Sequence, residues 1–340
     1  MLRVVRMNGL DLSRFQFDYD QTWAVLFLGP DGTVYGRYGT RAGGGEQSTS
    51  HLSLAGLKNA MRRALAVHAS YPANRDELRG KQPHRLPFRY PEDVPWLARR
   101  TRHGDVRQSC VHCHMVAASL IRYRWERGEL REQDIFVYPL PENVGMQMDP
   151  EDDVRVRSVR PGSPAHKAGI RSGDYLVRIA GQPLVSQADI QWVLHHARDG
   201  EELEVELYRE GDLVRTHLGH PHGHWRRGNI HWRASTWHLR PGMRVEALAE
   251  EQRRRLRIPP GKMALEVRMV LRFDDRARRA GVRRGDVIIR VADRDDLLTE
   301  EDFLAYLWLH YGPGQQVPLT VLRGGRQVRA ILTMRWHPPD

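Results

Sequence analysis

GSPAHKAGIRSGDYLVRIAGQPLVSQADIQWVL, residues 162–194, is the stretch that decides the fold of this chain. Gly169 and Gly173 allow tight turns with positive φ, and the apolar run after Asp174 has the composition of a strand. Ser186, followed three residues later by Asp189, resembles a capping box at the start of a helix. The stretch therefore predicts a turn, a strand and a capped helix within one small α+β unit.

The last 200 or so residues contain an internal repeat. KAGIRSGDYLVRIAGQPL (167–184) resembles RAGVRRGDVIIRVADRDD (279–296), with Ala-Gly and Gly-Asp pairs at matching places. Each copy continues into a predicted helix and then into a strand pair with an Arg-x-Gly turn, in LYREGDLV (207–214) and VLRGGRQV (321–328). Two similar units of about 75 residues are expected.

The first copy resembles PDZ domains of the bacterial protease-associated type, in its Gly-Ser-Pro-Ala, Ala-Gly, Gly-Asp and Ile-x-Gly pattern. PDZ domains bind an extended chain end by adding it as a strand to a sheet edge. The resemblance implies a carboxylate-binding loop and a groove-facing helix, formed by Val144, Gly145, Met146, Gln147 and Met148 and by Ile190, Gln191 and Leu194. In the second copy Phe-Asp-Asp (273–275) replaces Gly-Ser-Pro, and we expect a divergent, mostly structural domain there.

The front of the chain resembles the second half of a thioredoxin fold, in LFLGPDGTVYGRYGTR (26–41) and the helix expected over 53–70. With CVHCH (110–114) and NIHWRASTW (229–237), the whole arrangement resembles a bacterial family of exported thioredoxin/PDZ proteins, some of them selenoproteins. The resemblance implies an N-terminal truncation, because a selenocysteine codon upstream would read as a stop.

CVHCH holds the two cysteines of the chain, Cys110 and Cys113, with His114 directly after them. C-x-x-C-H is the attachment signature of c-type haem, in which the thiols form thioethers and the histidine binds iron. Haem c is therefore the first expectation. Three alternatives stay open: a reversible dithiol activated by His112 and His114, a zinc or copper site completed by His103 or His112, and inert structural cysteines.

A second group of histidines, in HLGHPHGHW, supplies alternate imidazoles that could bind copper, zinc or nickel, at His217, His220, His222 and His224. A solvated loop is the alternative. The formal charge is +11, but the arginines are spread along the chain and no nucleic-acid motif is present, so nucleic acid is not an expected partner. No apolar run is long enough to span a membrane, and the first residues lack a signal-peptide core.

These patterns predict an α+β multidomain protein with a partial thioredoxin-like α/β segment, a small helical CxxCH module and two PDZ-like β-barrel domains. The expected boundaries are 1–72 for the thioredoxin-like segment, 73–98 for a linker, 99–140 for the CxxCH module, 141–216 for the first PDZ domain, 217–260 for a His/Trp-rich connector and 261–336 for the second PDZ-like domain.

The function expected from these parts is exported electron transfer through haem, with a redox partner protein and with a protein or peptide C-terminus docked on the first PDZ domain. A thiol-disulfide oxidoreductase and a non-catalytic PDZ scaffold with structural or metal-binding cysteines are the alternatives. No protease nucleophile motif such as G-x-S-x-G is present, so no protease activity is expected. The location is periplasmic if the gene has a leader, and cytoplasmic if this start is real.

Overall fold

The computed structural model describes residues 3–101, 110–219 and 225–337. The chain divides into two compact units, the first made of Met1–Ala117 and Phe136–Arg233 and the second of Ala118–Ile135 and Ala234–Asp340. The predicted multidomain α+β class is confirmed. None of the described helices is both long enough and apolar enough to cross a membrane.

The described strands, in chain order, are β1 Val25–Leu28, β2 Val34–Tyr38, β3 Met146–Asp149, β4 Asp152–Val159, β5 Tyr175–Ile179, β6 Gln182–Pro183, β7 Glu202–Arg209, β8 Asp212–Gly219, β9 Met243–Ala247, β10 Leu265–Val270, β11 Val287–Val291, β12 Gln316–Arg323 and β13 Arg326–Thr333. The described α-helices are α1 Leu54–Ala69, α2 Pro95–Thr101, α3 Cys113–Glu126, α4 Glu132–Ile135, α5 Pro164–Lys167, α6 Gln187–His196, α7 Glu250–Arg255, α8 Arg276–Arg279 and α9 Glu300–His310.

The first unit is built around a sheet in the order β3-β4-β5-β7-β8, with β6 beside β5. Its core is apolar and joins the inner face of the sheet to α6 through Ile190, Val193 and Leu194. Gly169 and Gly173 adopt φ of 73° and 91°, which confirms the predicted turns. The stretch 162–194 thus folds as its sequence indicated.

The start of α6 differs from the predicted capping box in both of its bonds. Ser186 is the N-cap, and its hydroxyl accepts a hydrogen bond from Ala188 N. The Asp189 carboxylate accepts from Val185 N at 2.9 Å rather than from the N-cap amide. The Asp189 carboxylate therefore holds the main chain at Val185, one residue before Ser186, whose amide was the predicted partner.

An N-terminal hairpin and helix belong to the same unit. Strands β1 and β2 pair antiparallel, and every residue of β2 is buried. Helix α1 turns its small residues inward, and Leu54, Met61 and Leu65, which share one face, are exposed. Small residues are required on the inward side of α1, because a Cβ on Gly56 would lie 2.6 Å from the carbonyl oxygen of Pro150. This two-stranded sheet with one long helix does not establish a thioredoxin fold.

The second unit repeats the strand order of the first, as β13-β12-β11-β10-β9. Its edge strand β9 lies within 217–260, which was predicted to be a connector, so this sheet begins before residue 261. Met243 and Val245 are buried while their neighbours are exposed, and this short alternation was the signal for a strand.

One ion pair recurs in both sheets and explains the repeated Gly-Asp and Arg-x-Gly motifs. Arg209 binds the carboxylate of Asp174 through two bonds of 2.8 and 2.7 Å. Arg323 binds Asp286 in the same way, also at 2.8 and 2.7 Å. Each arginine thereby clamps the end of its hairpin to the turn that starts the central strand.

Candidate functional site

The first wall of the candidate site is β3, the edge strand of the first sheet. It pairs with β4 alone among the described strands. An unpaired strand edge presents main-chain donors and acceptors that can pair with an extended peptide. Met146 and Met148 point into the core, while Gln147 is exposed and accepts a hydrogen bond from Ser158 at 3.0 Å. One main-chain edge of β3 therefore has no partner among the described strands, and ligand binding there stays a prediction.

The loop before β3 is held in one conformation by Gly145. This glycine has a φ of 93°, and a Cβ there would lie 2.1 Å from Ser163 Oγ. The Gly145 carbonyl accepts from Arg160 N, and Asn143 donates to the carbonyl of Trp225, each at 2.9 Å. Val144 is fully buried. The loop is thus pre-organised, as a carboxylate-binding turn needs to be.

The second wall is α6. Ile190 and Leu194 are fully buried in the apolar core. Of the three predicted groove residues, Gln191 is the one whose side chain makes polar contacts outside that core. The Gln191 side chain donates to the carbonyl of Tyr138 at 2.9 Å and accepts from the Thr40 hydroxyl at 2.8 Å. All three residues lie on α6, and their role in binding a peptide stays a prediction.

A buried charge cluster fixes the outer side of this helix. Lys81 Nζ lies 2.8 Å from Asp189 Oδ2, and Arg37 N donates to Asp189 Oδ1 at 3.2 Å. The Arg37 guanidinium lies over the Trp192 ring at 3.5 Å. Burial lowers the pKa of Lys81 and lowers that of Arg37 to about 10, and the Asp189 carboxylate opposes both changes.

Histidines at the end of α6 pack as neutral rings. His196 stacks on His84 with centroids 4.1 Å apart, and its Nδ1–H donates to the carbonyl of Trp192 at 2.8 Å. Burial, with smaller contributions from nearby His84 and Arg37, lowers the pKa of His196 to about 4. These rings are packing elements beside the candidate groove.

The CxxCH residues lie at the start of α3. Cys110 and Cys113 are half-buried and are not joined in a disulfide. Burial raises the pKa of Cys113 and lowers that of His114, and the rings of His112 and His114 stack parallel at 5.8 Å. These shifts favour a protonated thiol and a neutral imidazole, against the expected activation of a thiolate.

No three His, Cys, Asp or Glu side chains within residues 3–101, 110–219 and 225–337 meet in a way that could hold a metal ion. His217 is an exposed residue of β8. His103, His220, His222 and His224 lie outside the described residues. A zinc or copper site at these histidines stays a prediction.

Comparisons with known proteins decide the nature of the first unit's sheet. Residues 143–218 match the PDZ domain family. This match confirms the predicted first PDZ domain, of the type found in HtrA/DegP proteases.

Two relatives are probable periplasmic serine endoproteases of the DegP-like type. The one from Pseudomonas putida F1 is 29% identical over 44% of this chain and 31% of its own length. The one from Marinomonas is 23% identical over 55% of this chain and 38% of its own. The matched part thus spans about a third of the length of these curated relatives.

A solved structure of the HtrA3 PDZ domain bound to a phage-derived ligand is 24% identical, over 22% of this chain and 81% of that one. Its TM-score is 0.20, which is too low to support any structural conclusion.

These relatives overturn the expected electron-transfer function. They are serine endoproteases with PDZ domains and not haem or redox proteins, so the predictions of c-type haem at Cys110, Cys113 and His114, of electron transfer and of a selenoprotein are wrong. The thiol-exchange alternative is wrong for the same reason. What the sequence identified correctly is the PDZ domain itself.

Proposed function

We propose that the PDZ domain at 143–218 binds the C-terminus of a partner polypeptide, as an added strand between β3 and α6. The single observation that carries this proposal is the edge of β3, directly after the Gly145 turn, with which no other described strand pairs. A peptide carboxylate would lie at this turn, and the peptide main chain would pair with Met146–Asp149. The match of residues 143–218 to the PDZ family, whose members bind chain ends by strand addition, supports the same mode here.

An extracytoplasmic location fits this proposal, because the DegP-like relatives are described as periplasmic. Peptide ends that become accessible on unfolded or processed proteins would then be the available ligands. The endoprotease activity of those relatives is a property of whole proteins of which the matched part is about a third, and it is not part of the proposal.

The test is a binding measurement on the full chain. A peptide is selected from a random library with free C-termini, labelled with a fluorophore at its N-terminus and titrated by fluorescence anisotropy. The same peptide with an amidated C-terminus is the matched control. We expect amidation to weaken binding at least about tenfold, since charge-assisted hydrogen bonds to the carboxylate are lost. Equal binding of the two peptides would overturn the proposal.

A further inference from the structure

The groove between β3 and α6 is covered by the chain's own residues 40–53. On the helix wall, the Thr40 hydroxyl donates to Gln191 Oε1 at 2.8 Å. His51 Nδ1 lies 3.2 Å from Gln187 Nε2 and 3.3 Å from its Oε1. Both glutamines lie on α6, four residues apart and therefore on the same side of the helix. The segment thus occupies the polar positions of this wall.

The same segment also reaches the loop and the end of the strand wall. His51 Nε2 lies 3.6 Å from Glu142 Oε1, in the turn that leads to Gly145. Ser53 Oγ donates to the carbonyl of Pro150 at 2.8 Å, and Pro150 directly follows β3. Contacts at α6, at the loop and at the end of β3 place residues 40–53 across the groove.

The middle of this segment is exposed and rich in glycine, so it can open locally at a low free-energy cost. Residues 44–47 and 49–50 are exposed, and this stretch begins with Gly44 and Gly45 directly after Gly43. Glycines carry little restriction of the backbone, and an exposed segment without buried apolar side chains has a low cost of local opening. Among the described residues, the segment contacts the groove at its two ends, Thr40 and His51–Ser53. Arg41, next to the first end, also accepts from Asn229 and donates to Thr22.

We propose that residues 40–53 form an internal lid over the peptide groove, which an incoming C-terminal peptide must displace. This inference rests on the proposed function. Displacement uncovers the amides of Gln187 and Gln191, which need new hydrogen-bond partners because a buried unpaired polar group is costly. The ligands are therefore peptides with a hydroxyl or imidazole side chain, Ser, Thr or His, in place of Thr40 and His51.

The test compares the affinity of the selected peptide for three full-length chains. The double variant Thr40→Val/His51→Ala loses the lid contacts with α6. Thr49→Val makes the same threonine change at an exposed lid position and is the matched control. Because apparent affinity scales with the fraction of open groove, we expect the double variant to bind about fivefold tighter or more. The control should bind like the unchanged chain.

Equal affinity of all three chains would overturn the lid while peptide binding stands. Failure of every folded chain to bind any library peptide would overturn the proposed function, and the lid with it. Peptides selected on the double variant should share a Ser, Thr or His at a fixed distance from the C-terminus. A purely apolar consensus would contradict the assigned ligand chemistry.

A second measurement needs no substitution and covers the case in which the double variant does not fold. Hydrogen exchange of amides in residues 41–53 of the unchanged chain is followed with and without saturating peptide. A displaced lid predicts faster exchange there together with slower exchange in Met146–Asp149. Unchanged or slower exchange in 41–53 on binding would overturn the lid.

Discussion

Lys81 Nζ lies 2.8 Å from Asp189 Oδ2, and the two side chains are 0% and 2% exposed. Lys81 also donates to the carbonyl of Pro183 at 2.5 Å. This ion pair ties the stretch 73–98, which was predicted to be a linker, to the helix that walls the peptide groove. Leu78 and Val94 are fully buried in the same stretch. Residues 73–98 are therefore part of the first unit.

Replacing Lys81 with methionine should destabilise the first unit by about 3 kcal/mol, because Asp189 then keeps a buried charge without its ammonium partner. Lys58→Met, on the exposed side of α1, is the control and should change stability by less than about 0.5 kcal/mol. Urea denaturation of both variants measures the difference. A Lys81→Met chain as stable as the control would show that Arg37 alone compensates Asp189.

Gly145→Ala should both destabilise the PDZ domain and abolish peptide binding. The new Cβ would lie 2.1 Å from Ser163 Oγ at a φ of 93°, so the loop must shift. Gly162→Ala has a similar φ of 74° but open space around the Cβ, and it isolates the cost of the backbone conformation. We expect about 1 kcal/mol for Gly162→Ala and clearly more for Gly145→Ala. Equal losses of stability would contradict the steric account of the loop.

Arg209→Lys should cost about 2 kcal/mol, since lysine cannot make both bonds to the buried Asp174 carboxylate. Arg215→Lys, which changes an exposed pair with Glu206, should cost almost nothing. Thermal unfolding in matched buffers compares the two variants. If both shift the midpoint equally, the clamp between the hairpin and the Gly-Asp turn has no special role.

The first unit should lose stability in acid because of His196. Its pKa is about 4 in the fold and about 6.5 when exposed, so the unfolded chain binds the proton first. The contribution is present above pH 6.5 and is lost as the pH falls toward 4, by up to about 3 kcal/mol. His196→Gln should flatten this part of the stability profile, whereas exposed His217→Gln should leave it unchanged. If the His196→Gln variant loses stability just as steeply as the pH falls, the loss of stability comes from another titratable group.

Local patterns in the sequence were sufficient for the PDZ domain. The turn glycines, the strand after Asp174 and the capped helix all depend on neighbours within a few residues, and each is found where it was predicted. The loop before β3 followed from the resemblance, with Gly145 at its positive φ. These features needed no knowledge of distant contacts.

The cover over the groove could not be predicted in the same way. Thr40 and Gln191 lie 151 residues apart, and no periodicity or motif connects a threonine in one hairpin to an amide on a distant helix. Lys81 was hidden in a Pro- and Arg-rich stretch whose composition is typical of a linker. The CxxCH motif led to the wrong prediction of c-type haem, because a five-residue match says nothing of the surrounding protein on which haem attachment depends.

The crystal structure of the full chain with a selected C-terminal peptide tests the central claim most directly. We predict the peptide as an additional antiparallel strand along Met146–Asp149, with its carboxylate at the Gly145 turn and residues 40–53 displaced from α6. A peptide bound elsewhere on the chain, with the edge of β3 still unpaired, would contradict the claim that this PDZ domain is a receptor for polypeptide C-termini.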